Sequence, residues 1–188
     1  MSVTAANLVQ GPATIYIGDF GAVEPADTAV ATTPDDDVWT DVGGTIDGVK
    51  INIDQKYSAM EVDQLVEVVE SRLISRDVTI ETKLAEPTLE NLQFVMNGGS
   101  TGSGSGFDSL EFDDTGSATQ PNYHAMIIDG YGPDGGRRRL IVRKVLQIDG
   151  TELAYTKDKQ SVFTLKVRSH YVSAAIKSMK IVDEVSGS

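Results

Sequence analysis

Two glycine-rich segments carry the spacing of loops that handle phosphates and acyl groups. Gly130, Gly132 and Gly135 fit G-x-G-x-x-G, which cradles a pyrophosphate when the turn opens a helix whose N-terminus faces the anion. The residues that follow, Arg137 to Leu146, are β-branched and apolar, so a strand is expected there and the glycines specify a hairpin turn. Gly98, Ser100 and Gly102 fit G-x-S-x-G, the pattern that holds a hydrolase serine on a strained strand-to-helix elbow. Here a helix is expected before the serine, and neither His124 nor His170 has a signature that places it beside Ser100. A Gly/Ser loop is the reading adopted for this tract.

The remaining polar clusters lead to the same place. His124 and His170 lie far apart, each near a strand end, and read as surface histidines. Asp35 to Asp37 and Asp113-Asp114 lack the alternate spacing and central glycine of a calcium loop, so they read as solvated loop charge. Arg137 to Arg139 with Arg143 and Lys144 form the one basic cluster, but a strand splits its members between two faces. Ion pairs with acidic neighbours, in this or another subunit, are expected of it. No catalytic residue, cofactor site or metal site is predicted.

The elements that must position these residues are strands. The chain has 188 residues with 18 glycines against six prolines and 40% hydrophobic content, enough for a core in one domain, 1–188. Ala13 to Gly18 is a first strand, and 19–38, rich in Ala, Thr, Pro and Asp, is expected to be an exposed loop. Val49, Ile51 and Ile53 alternate with Lys50, Asn52 and Asp54; Val78, Ile80 and Leu84 alternate with Asp77, Thr79, Glu81 and Lys83. Each run has one apolar and one polar face. The stretch 54–64 interrupts the alternation and is predicted to be the tip of a long hairpin, with Val66 and Val68 resuming it. Pro87-Thr88 opens the one helix, capped by Thr88 and striped by Leu89, Leu92 and Val95 or Met96. Gly98 and Gly99 end it, and 97–106 is expected to be a flexible Gly/Ser loop. Tyr123 to Asp129 and Arg137 to Ile148 pair as a hairpin, and Phe163, Leu165 and Val167 mark a closing strand.

Charge and composition exclude several classes. Twenty-eight acidic residues against 16 basic ones give a formal net charge of −12, which disfavours a dedicated nucleic-acid binder. The absence of cysteine removes disulfides, thiolate metal sites and thiol nucleophiles. No run of about 18 apolar residues is present for a membrane-spanning helix, and Met1 to Pro12 has neither the charged nor the apolar region of a signal peptide. Synthesis without export and no membrane insertion are expected.

The order of segments resembles the tail tube proteins, or major tail proteins, of long-tailed bacterial and archaeal viruses. The likeness rests on GPATIYIG (11–18), the Pro/Asp loop, WTDVGG (39–44) leading into GVKINID (48–54), and Val62-Asp63-Gln64. It continues through the strand Val78 to Leu84, AEPTLENL (85–92) and the closing strand Ser161 to Tyr171. The resemblance implies a mainly β fold, a β-sandwich or partial barrel with one flanking α-helix. Six copies would close a hexameric ring in which inner strands form a shared barrel, and rings would stack into the tube that conducts the viral genome into the host cell.

In that setting Lys50, Asn52, Asp54, Asp77, Thr79, Glu81 and Lys83 would face the lumen, with negative bias from Glu67 and Glu70. Tyr57, Met60, Val62 and Asp63 would make ring-stacking contacts. The implied partners are other copies of the chain, the tape measure protein, the tail terminator, distal tail and baseplate proteins, and genomic DNA in transit without specific binding. The implied location is the virion tail, assembled in the host cytoplasm. Other readings of the same residues are the inner tube of a contractile injection system, a β-sandwich decoration or adhesion module, and a hydrolase using Ser100.

Overall fold

Val78, Ile80, Thr82 and Leu84 are buried while Glu81 and Lys83 are exposed, the period of two that a half-buried strand requires. The computed structural model describes residues 3–113, 116 and 120–185. Its strands are β1 (Thr14–Asp19), β2 (Thr40–Asp41), β3 (Thr45–Met60), β4 (Glu70–Leu84), β5 (Ser100–Gly104), β6 (Phe107–Glu111), β7 (His124–Tyr131), β8 (Arg137–Gln147), β9 (Phe163–Ser169) and β10 (Met179–Asp183). The single α-helix, α1, spans Leu89–Val95. The protein is mainly β with one flanking helix.

The main sheet runs β2-β1-β7-β8-β9-β4-β3, and β10 joins it on β8. β8 is shared between two layers. Its first half, Arg138 to Val142, lies between β7 and β10, and its last residues, Val145 to Gln147, meet β9. The sheet folds over at this strand and encloses Ile15, Met126, Ile128 and Val142 against Ile80, Leu84, Phe163, Leu165 and Val167. Phe94 and Val95 of α1 close the core. The path begins at β2 and ends at β3 without a ladder between them, so the result is a sandwich or partial barrel rather than a closed one. Only Val42, Gly43 and Gly44 separate β2 from β3. The Gly44 N–H donates to Glu86 Oε1 at 2.8 Å, and a Cβ at Gly43 (φ +79°) would lie 2.2 Å from the same oxygen, so this joint needs glycine.

The helix starts as its sequence predicts. Thr88 Oγ1 accepts from the Asn91 N–H at 3.1 Å, and the buried Asn91 amide donates to Val42 O and Glu86 O, tying the helix to both ends of the neighbouring strands. Asn97, at φ +57°, ends it, with the Gly98 N–H donating back to Gln93 O at 3.2 Å, so the stop expected at Gly98 and Gly99 falls one residue earlier.

Three expected boundaries are corrected. The 19–38 segment is not simply an exposed loop, because it covers the outer face of β7 and β8 and, with Trp39, builds a second small core. Trp39 packs with Ala125, Ile127 and Ile141, its indole N–H donates to Val23 O at 3.0 Å, and Val30 and Pro34 are buried. A segment poor in large apolar residues can still be held down when the strand beneath it is apolar on both faces, as β7 is. The 97–106 tract is not an irregular loop: Ser100 to Gly104 pair with Phe107 to Glu111, turning at Ser105-Gly106. The partner strand supplies the β-propensity that Gly and Ser lack. The hairpin tip also moves. Residues 54–60 continue β3, Met60 pairs with Glu70, and the turn is 61–69, so Val66 and Val68 belong to the turn and not to the returning strand.

Candidate functional site

The polar residues of the β3–β4 hairpin are gathered on one face by antiparallel register. Lys50 pairs with Glu81, Asn52 with Thr79 and Asp54 with Asp77. Residues directly opposite in a ladder share a face. Ile51 and Ile53, opposite Ile80 and Val78, take the other one. Lys83 continues the row, displaced by a bulge at Asp47 and Gly48, which have φ of +65° and +72°. Its Nζ meets Asp47 Oδ2 at 2.6 Å, and that contact lowers the Asp47 pKa and raises that of Lys83. All seven residues singled out on this face therefore lie along it.

β9 adds residues that the hairpin alone did not reveal. Lys166 stands beside Glu81 and Arg168 beside Thr79, and Arg168 Nε lies 3.1 Å from Asp77 Oδ1. The alternation of Thr164, Lys166 and Arg168 was visible, but neighbourhood across strands is not a property of one strand. With Lys56 opposite Ser75, the face thus holds five basic groups (Lys50, Lys56, Lys83, Lys166, Arg168) and three acidic ones (Asp54, Asp77, Glu81), with Asp47 at its margin. Glu70 stands farther out on the arm, opposite Met60, and Glu67 lies in the turn.

Beyond the Thr79–Arg168 pair, β3 and β4 have only each other. The nine residues from Thr79 back to Glu70 make an arm of about 30 Å at the rise of a strand. Register slips once, leaving Ile74 as an extra residue between the pairs Lys56–Ser75 and Tyr57–Leu73. This bulge places Leu73 beside Tyr57 despite the change of parity along β4. Tyr57 and Met60 sit on the ladder; Val62 and Asp63 sit in the turn. Tyr57, Met60, Val62, Leu65, Val66 and Val69 are all exposed, Val66 completely. So many exposed large apolar side chains within one short arm are uncommon on an isolated chain. Among the described residues the outer edge of β3 has no partner strand along its 16 residues.

The profile of the phage tail tube protein family matches residues 3–179. The chain belongs to that family. This tail tube protein is a structural component of the phage tail. No curated protein matches its sequence. Among solved structures, a chain in the six-fold symmetrised cryo-EM structure of the anti-feeding prophage (AFP) baseplate aligns with 97% of each chain covered, 12% identity and a TM-score of 0.43.

The chemical motifs take structural places in the tail tube protein. Gly130 lies in β7 opposite Arg138, and Gly132 to Gly136 turn β7 into β8 with a short 3₁₀ segment at Pro133–Gly135, followed by a strand and not by an α-helix. Ser100 opens β5 rather than an elbow. The basic cluster forms the expected pairs: Arg138 with Asp183, Arg139 with Asp129, and Arg143 with Glu24. Lys144 lies over the rings of Phe20 and Tyr123.

The histidines are less superficial than predicted. Each is half-buried with an unpartnered Nε2 and packs edge-on against an aromatic ring, His124 on Phe94 and His170 on Tyr123. Burial lowers both pKa values, and Lys144 and Arg168 add to the effect at His170. Among the described residues no group of three His, Cys, Asp or Glu side chains could hold a metal ion. Asp37 donates its N–H to Asp35 Oδ1, a local turn contact, and Asp114 lies outside the described residues.

Proposed function

We propose that six copies of this tail tube protein close into a ring and that the rings stack into the tube through which the phage genome passes into the host. The observation that carries the reading is the β3–β4 arm, with its open edge and exposed apolar surface, on a chain of the tail tube family. An open edge of 16 residues is a template for pairing with another chain, and closure into a ring removes it. The arm's apolar residues, Tyr57, Met60, Val62 and their neighbours, gain a buried place in contacts between rings, with Asp63 at the rim.

The lumen wall in this reading is the polar face of β3, β4 and β9: Lys50, Asn52, Asp54, Asp77, Thr79, Glu81 and Lys83, joined by Lys166 and Arg168. DNA carries about one negative charge per 1.7 Å, and a wall of unpaired cations would hold it by releasing counterions. Here Arg168 is matched by Asp77 and Lys83 by Asp47. The wall stays wet and close to neutral, so a duplex slides past without being bound. Within a tail, the tape measure protein would fill the tube before the genome does, and terminator and distal tail or baseplate proteins would cap its ends. Assembly would take place in the host cytoplasm.

Electron microscopy of the parent particle tests the proposal. Six-fold rings of this chain with a central channel are expected. A tail whose tube is built of another protein, with this chain absent or monomeric, would overturn it.

A further inference from the structure

The arm ends in the turn 61–69, and with Glu70 its charged residues are Glu61, Asp63, Glu67 and Glu70, with no basic residue among them. Two such tips meeting each other would bring eight negative charges together around exposed valines. A like-charge contact of that kind is strongly disfavoured. The apolar surface must therefore meet a different surface of another copy, which makes the contact heterologous and able to propagate without end.

The opposite end of the same sheet offers that surface. β4 runs from Glu70 at the arm to Leu84, which pairs with Phe163, some 14 residues or about 45 Å away at the rise of a strand. There the segment between β8 and β9 is tied to the end of β4 by the Gln160 amide, which donates to Ala85 O at 2.9 Å. Ser161 Oγ donates to Ala154 O and Thr156 Oγ1 to Lys159 O, fixing a compact loop. Tyr155, just before its bend at 157–159, is 84% exposed, with Leu153 also exposed. Lys157 and Lys159 follow it with Asp158 between them, two cations against one anion over 153–161, and neither lysine forms an ion pair among the described residues. The β5–β6 hairpin, tied to the same end by the reciprocal Asn97–Gln147 hydrogen bonds, also shows exposed Phe107 and Phe112. It carries Asp108, Glu111 and Asp113, which repel an acidic tip.

We infer that the 153–161 loop, through Tyr155, Lys157 and Lys159, is the receiving surface for the acidic, valine-rich arm tip of a copy in the next ring. This rests on the tube reading above and assigns the second half of its stacking contact. The chain has no cysteine, so introduced thiols report contact without background.

The test places Val66→Cys with Asp158→Cys in the full chain, assembled in tails of the parent particle and treated with a short bis-maleimide, beside a Val66→Cys/Asp108→Cys control. The expected result is a ladder of covalent multimers from the first pair only. A second arm uses Lys157→Glu/Lys159→Glu, expected to reduce assembled tube about tenfold, the weight of two rim ion pairs. Adding Glu67→Lys/Glu70→Lys should restore assembly. Tubes that form normally from the lysine variant, or that cross-link only in the Asp108 control or not at all, overturn the loop assignment and leave the tube reading intact. Wild-type particles with no tube of this chain overturn the tube reading itself, and the loop assignment with it.

Discussion

Arg139, 2% exposed, donates two hydrogen bonds to Asp129 and others to the carbonyls of Ala29 and Thr32, so one guanidinium fastens the 20–38 segment onto β7 and β8. Breaking a buried pair by removing one partner leaves a charge without compensation and typically costs about 3–5 kcal/mol. Asp129→Ala should therefore lower the stability measured in urea by about that much, whereas Asp183→Ala, which unpairs the half-exposed Arg138, should lower it by less than about 1 kcal/mol.

The histidines give the pH prediction. Both have pKa values below the usual one in the native state, so the unfolded chain takes up protons first as pH falls. Stability should be unaffected by these groups above about pH 6.5, decline below it, and level off once the native histidines also charge. His124→Gln should flatten that slope in thermal melts at pH 5 to 7; an unchanged slope would show that other groups set it. The arginine pairing was legible in the sequence as a class of contact. The partners were not, because Glu24, Asp129 and Asp183 reach the cluster only through tertiary folding.

At the scale of elements, the arm tip separates folding from assembly. None of residues 61–69 is buried on its own chain, and Met60 and Glu70 already pair, so an Asn-Gly turn can replace the whole tip. That variant should melt within a few degrees of wild type yet build no tubes, as judged by calorimetry and microscopy; normal tubes would remove the tip from the stacking contact. The helix gives a contrasting case. Thr88→Ala deletes a cap worth about 1 kcal/mol, and it should lower stability by that amount in chemical denaturation.

Caps and alternation are local signals, which is why α1, β9 and the Val78 to Leu84 half of β4 were readable from the chain. The extent of the hairpin was not, since the turn residues Leu65, Val66, Val68 and Val69 look like a strand whose apolar side has a core to meet. Their core, in the proposed tube, belongs to another molecule. The Gly/Ser tract failed for the converse reason: its strand character comes from its partner, Phe107 to Glu111.

At the scale of the molecule, the seven polar residues picked from two separate strands share one sheet face, because antiparallel pairing brings Lys50 to Glu81 and Asp54 to Asp77. What sequence alone withheld was β9's contribution of Lys166 and Arg168. With those present, Asp77→Lys and Glu81→Lys would leave Asp54, with Asp47 at the margin, against seven cations and make the wall strongly cationic. Virions carrying both substitutions should assemble tails but eject DNA at least several-fold more slowly at low ionic strength, recovering as salt screens the wall. Salt-independent, wild-type ejection would place this face outside the channel.

The shared path of β4 has a mechanical consequence. The strand that forms one side of the arm continues into the body without a break and lies along β9 from Thr79 to Leu84. Tension along the arm therefore loads those ladder hydrogen bonds in shear, all at once, rather than peeling them one after another. A tube built this way yields, when stretched or bent, at the joints between copies while each subunit keeps its shape. Flexure becomes a property of the joints, and the wall between them stays stiff.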